Sequence, residues 1–200
     1  MVWLEVETKV CLNKEEIPVL RKRLQKIAKL EKIGTKGDDY FAIQAKDYPK
    51  KAFRIRNKGE VHEINFKKWL TKHWTKDIVV KEEFEFEIET KNLDSFIALM
   101  KDLGFVEWMK KIKHSESYRY LKNSKVDIEL NKVKHLGWFM EIEYLCPPRE
   151  LEKARKTIRK ILTDLQVSPD KIDNTGYTKM LWYKGVKDRR YFMAKNIKIK

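Results

Sequence analysis

From Val80 to Glu89 apolar and charged residues alternate. Phe84, Phe86 and Ile88 fall on one face of an extended chain, and Lys81, Glu83, Glu85, Glu87 and Glu89 on the other. The same period recurs along the sequence. Leu4, Val6 and Val10 oppose Glu5, Glu7 and Lys9; Phe53 and Ile55 oppose Arg54 and Arg56; Ile64 and Phe66 oppose Glu63, Asn65 and Lys67. Val126, Ile128 and Leu130 oppose Asp127, Glu129 and Asn131, and Trp138, Met140 and Ile142 oppose Glu141 and Glu143. Less regular strands are expected over residues 38–45 and 112–121. About eight strands joined by short connections imply antiparallel pairing. One polar face normally lies in water. Here, however, both signs of charge recur at alternate positions, and amphipathic helices are available to cover the apolar faces.

Three helices follow from their spacing. Residues 14–30 place Ile17, Leu20, Leu24 and Ile27 on one stripe behind a potential cap at Asn13. Residues 93–103 carry Phe96, Ile97 and Met100, with Gly104 as the stop. The third opens at Pro148 and turns Ala154, Ile158, Ile161 and Leu165 inward, and a short last element runs from Ser168-Pro169 to about Trp182. With helices outside, the sheet must curl with its charges inward, and about eight strands can close around one small ligand. The expected class is α+β: an eight-stranded antiparallel barrel with a charged interior. Buried charges need partners or ligands, so the expected contents are an anion against the bases and a cation against the carboxylates.

Composition narrows the partners. The chain has 200 residues and a net charge of +15, which suits polyanions, nucleic acid included. With 38% charged residues it holds no apolar run near the roughly 20 residues of a membrane span. The opening MVWLEVETKV is too interrupted by charge for a signal peptide. Two cysteines, Cys11 and Cys146, are too few for a disulfide scaffold, so a cytoplasmic location is expected. One domain over 1–185 and a basic tail over 186–200 are the expected organisation. The oligomeric state stays open, a dimer included.

In order, LEVETKV, GDDYF, FRIRNKG, INFKK, EEFEFEI and HLGWFMEIEYL resemble the successive strands of the CYTH family, the triphosphate tunnel metalloenzymes. That family includes class IV adenylyl cyclases and thiamine triphosphatases, and the resemblance covers roughly residues 2–183. It implies an eight-stranded tunnel that takes a triphosphate with Mg²⁺ or Mn²⁺. Glu5, Glu7, Glu129, Glu141 and Glu143 are then the expected metal ligands. Lys9, Arg54, Arg56, Lys67 and Lys113 are the expected phosphate contacts. Glu5, Glu7, Lys9 and Glu85 are the expected catalytic residues, with Glu83 beside Glu85 on the acidic strand. The chemistry agrees: carboxylate oxygens suit hard cations, and guanidinium forks suit phosphate. No glycine-rich phosphate loop occurs.

The expected activity is metal-dependent turnover of a nucleoside triphosphate, thiamine triphosphate or tripolyphosphate, by phosphohydrolysis or cyclisation. The alternative is a catalytically silent binder of polyphosphate, nucleotide or RNA on the same fold. Two departures favour that alternative. Asn131 stands where the family pattern has aspartate, and Ser115 where its Lys-x-Arg has arginine. Four histidines, His62, His73, His114 and His135, show no convergent spacing. Trp69, Lys72, His73, Trp74 and Lys76 form a basic-aromatic loop suited to stacking a base or to packing over the tunnel mouth.

Overall fold

The computed structural model describes residues 3–43 and 45–186, so the expected tail from 187 onward lies outside the described residues. The described residues form eight strands and four α-helices. They are β1 (Leu4–Leu12), α1 (Ile17–Ile27), β2 (Ala28–Ile43), β3 (Ala52–Asn57), β4 (Val61–Trp69), β5 (Val79–Glu89), α2 (Leu93–Asp102), β6 (Phe105–Tyr120), β7 (Val126–Val133), β8 (Gly137–Cys146), α3 (Leu151–Asp164) and α4 (Tyr177–Tyr183). The strands close into a barrel in the order β1-β5-β4-β3-β2-β6-β7-β8. The expected α+β antiparallel barrel is therefore the observed fold. Among the described residues, no helix is long and apolar enough to cross a membrane.

The chain divides into two compact units. The first contains the chain up to Thr35, Lys68–Glu83 and Lys113–Thr175. Its core joins Leu4, Val6 and Val10 of β1, Ile128 and Leu130 of β7, and Met140 and Ile142 of β8 to Leu20 and Leu24 of α1 and Ile158 and Ile161 of α3. Each of these large side chains, once fully buried, contributes about 1.5–3 kcal/mol. The second unit contains Lys36–Lys67, Phe84–Ile112 and the chain from Gly176. In it Phe41, Phe53, Ile55 and Ile64 pack with Leu93 and Ile97 of α2, and the Phe41 and Phe53 rings stack at 5.2 Å. In both units most apolar alternates meet helices, which leaves Glu5, Glu7, Lys9 and Glu63 buried on the other faces. On β5, however, Phe84 and Phe86 stay 46% and 50% exposed, against the inward packing expected of an apolar face.

Helix limits follow local chemistry. Asn13 precedes a 3-10 turn, Lys14–Glu16, and its N–H donates to the Glu16 carboxylate at 2.8 Å. Pro18 fits the first turn of α1, where no N–H is needed. Gly104, at φ 87°, ends α2 as expected, and its N–H donates to the Lys101 carbonyl at 3.0 Å. Two strands are longer than expected. α1 stops at Ile27, where Ala28 turns extended, and β2 starts there. β6 starts at Phe105, seven residues before the expected 112.

Candidate functional site

Within the first unit, β1 supplies Glu5, Glu7 and Lys9 at alternate positions, about 7 Å apart on one face. Pairing sets their neighbours: Lys81 of β5 lies opposite Glu5, while Glu143 and Glu141 of β8 lie opposite Glu7 and Lys9. On β7, Glu129 lies opposite Glu141. Lys81 ties the acidic group together, its Nζ donating to Glu5 at 2.8 Å and to Glu7 at 2.5 Å. Burial pushes the Glu7 carboxyl up to about 7; Lys81 opposes the shift, while Glu5 and Glu141 add to it.

A second knot surrounds Lys113, whose Nζ lies 2.6 Å from Glu129 and 3.4 Å from Glu141. Asn131 donates through Nδ2 to Glu141 at 2.7 Å and accepts at Oδ1 from the Ser115 hydroxyl at 2.6 Å. Lys9 is buried, and its amine donates to the Thr175 carbonyl. Burial lowers its pKa, with Glu141 and Glu7 acting in the other direction. One carboxylate oxygen from each of Glu5, Glu83 and Glu143 lies within 4.8 Å of the other two. Of the expected ligands, the structure thus groups Glu5 and Glu143 with Glu83. It sets Glu7 beside them through Lys81, and gathers Glu129 and Glu141 around Lys113.

The second unit carries a more cationic constellation. Asp38, fully buried, accepts from Arg56 Nε at 2.7 Å and Nη2 at 3.2 Å, and pairs with Lys111 at 2.8 Å. Burial works against its ionisation, but Lys111, Arg54 and Arg56 hold the carboxyl far below the usual range. Arg54 bonds Glu63, which Lys58 also meets at 2.6 Å. Glu85 accepts from Asn65 at 2.8 Å and lies 3.6 Å from Arg54. Lys67 is half-buried on β4. The Lys111 amine sits over the Tyr177 and Tyr40 rings at 5.4 and 5.5 Å.

Several of these residues had no assigned role in the sequence reading. Lys111 fell one residue before the expected strand. Asp38 was visible only inside GDDYF. Lys81 and Glu63 were visible as charged alternates, and alternation gives the face of a side chain without its cross-strand partner. Glu83 was legible through its acidic strand.

The family model for the CYTH domain matches residues 4–177. The chain belongs to the CYTH domain family. Among solved structures, this CYTH chain is similar to the PH1819 protein of Pyrococcus horikoshii OT3, at 28% identity over 90% of this chain and 99% of that one, with a TM-score of 0.71. It is also similar to the PH1012 protein of the same organism, at 25% identity over 86% and 96%, with a TM-score of 0.65. An adenylyl cyclase candidate from Hippeastrum, described as having a dominant triphosphatase activity, shares the fold at 16% identity over 92% and 96%, with a TM-score of 0.59. No curated protein matches the sequence.

Proposed function

We propose that the protein binds a triphosphate together with a divalent cation on the charged faces of its strands and turns it over, hydrolysis being preferred to cyclisation. The carrying observation is the Glu5, Glu83 and Glu143 trio, three carboxylate oxygens within 4.8 Å of one another. This all-oxygen donor set fits Mg²⁺ or Mn²⁺. Glu7, Glu129 and Glu141 supply further carboxylates around Lys81 and Lys113. When bound, the ion supplies Lewis-acid compensation of phosphate charge.

The chain's own part is anion binding and positioning. Arg54, Arg56, Lys67, Lys113 and Lys9, with Lys111 added, are the proposed phosphate contacts. Their present carboxylate and carbonyl partners are exchanged for phosphate oxygens, which bidentate guanidinium groups hold strongly. Glu85, fixed by Asn65, is proposed to orient the reacting water. CYTH membership supports this reading, as does the triphosphatase activity described for the Hippeastrum neighbour.

The silent-binder reading has its own support. Asn131 donates to Glu141 and Glu129, two of the expected metal ligands outside the proposed trio, and Lys9 is engaged by Thr175. A substrate panel separates the two readings: ATP, GTP, thiamine triphosphate, tripolyphosphate and 5′-triphosphate RNA, each with Mg²⁺ or Mn²⁺, assayed for phosphate, pyrophosphate and cyclic nucleotide. The expected result is metal-dependent phosphate release that falls at least ~100-fold in Glu143→Gln and in Arg56→Ala, since charged contacts of this kind are worth several kcal/mol. Turnover indifferent to both variants overturns the site. Tight binding without turnover establishes the silent binder.

A further inference from the structure

We propose that Trp69 and Trp74 form the stacking surface for the base of a nucleoside triphosphate, so that the protein holds such a ligand more tightly than tripolyphosphate. The inference rests on the triphosphate reading and adds the substrate class to it. Trp69 ends β4, and Trp74 follows a 3-10 turn at Thr71–His73. Their ring centroids are 5.3 Å apart, yet 41% and 39% of their surfaces stay exposed. Paired indoles left in water mark a binding surface more than a packing need.

Position ties this pair to the candidate site. The Lys81 amine lies 5.1 Å from the Trp69 ring centroid, and the same nitrogen donates to Glu5 and Glu7. An indole therefore stands one side chain away from Glu5, a carboxylate of the trio proposed to meet the metal.

The pair is also fixed before any ligand arrives. The Trp74 indole N–H donates to the Val80 carbonyl at 3.1 Å, and the Leu70 N–H to the same oxygen at 3.0 Å. Arg155 of α3 bonds the His73 carbonyl, and Arg159 of α3 grips Asp77 at 2.7 and 3.0 Å. A surface held this way loses little entropy on binding. The same connection carries exposed Lys72 and Lys76. That charge suits a neutral base on an anionic tail and disfavours the cationic ring of thiamine triphosphate.

Titration calorimetry with ATP, thiamine triphosphate and tripolyphosphate, each with Mg²⁺, tests the proposal on the wild type, Trp69→Ala and Trp69→Phe. The wild type is expected to hold ATP more tightly than either other ligand. Trp69→Ala should weaken ATP about tenfold or more, the worth of a lost stacking contact, and leave tripolyphosphate unchanged. Trp69→Phe, which keeps a ring, should restore most of the ATP affinity. Equal loss for ATP and tripolyphosphate in Trp69→Ala overturns the platform, as does a wild type that prefers tripolyphosphate. A wild type that binds none of the three overturns the triphosphate reading itself, and the platform with it.

Discussion

Asn131 and Ser115 lie opposite one another on β7 and β6 and are both buried, joined by the Ser115 hydroxyl to Asn131 Oδ1. Taken singly, each is a departure from the charge pattern that the CYTH resemblance implies. Taken together, they replace one acid and one base by a neutral hydrogen-bonded pair, which leaves the net charge of that stretch unchanged. The amide also does what no carboxylate can, donating to Glu141 at 2.7 Å. Asn131→Asp alone removes that donor and sets another carboxylate beside Glu129 and Glu141. It should lower the stability to urea by about 2 kcal/mol, the cost of a buried polar group losing its partner. Adding Ser115→Arg supplies the missing cation. The four proteins of the cycle should show a favourable coupling of about 1 kcal/mol or more. Additive effects would mean that the two positions are independent departures.

Among the elements, α3 does more than cover β1 and β8. Through Arg159 it holds the β4–β5 connection at Asp77, which Thr75 also meets at 2.8 Å. Hydrogen bonding from Arg159 is the main cause that keeps the Asp77 carboxyl at about 2, against a smaller opposing effect of burial. A carboxyl whose pKa is depressed by folding stabilises the fold above its unfolded value near 4, and that contribution is lost as pH falls from about 4 to about 2. Because Arg159 is 46% exposed, the contribution is about 1 kcal/mol. Urea unfolding of wild type and Asp77→Asn should therefore differ by about that amount at pH 6 and converge near pH 2. A gap that is the same at both pH values would assign the loss to packing.

The elements also differ in how far the sequence announces them. β1, β7 and β8 alternate because one face meets helices and the other carries charge, so both fold class and acidic wall were readable. β5 alternates too, although its Phe84 and Phe86 stay half exposed. The first part of β2 lies in water, with Leu30 44% and Ile33 55% exposed, and no burial imposes a period on it. In β6, Trp108 and Met109 are buried at successive positions, which breaks the alternation just before Lys111. Asp38 and Lys111, the buried pair of the cationic constellation, sit at the edges of these two unreadable stretches. The Lys81 bridge was hidden for a different reason, since it depends on strand register rather than on any local pattern.

For the whole molecule, the +15 charge and the proposed site reside in different places. The charged strand faces carry more acids than bases, so the basic excess lies elsewhere in the sequence. It is in part on the helices and in part in residues 187–200, which carry six Lys/Arg and one Asp. α1 presents Arg21, Lys22, Arg23 and Lys26, and α3 presents Lys153, Arg155, Lys156, Arg159 and Lys160, against few acids. Exposed charges are screened within about 8 Å at physiological salt, whereas buried ones are screened far less. Two kinds of anion binding are therefore expected, with different salt responses. A single-stranded polynucleotide held by about five exterior cations should lose ~100-fold in affinity between 50 and 200 mM salt. Tripolyphosphate with Mg²⁺, bound among the buried Lys and Arg residues, should lose much less. Filter binding of an RNA lacking a 5′-triphosphate, set beside calorimetry of tripolyphosphate across the same salt series, measures both slopes. Equal slopes would place both anions on the exterior, and the basic surface would then be the binding site itself rather than a field around it.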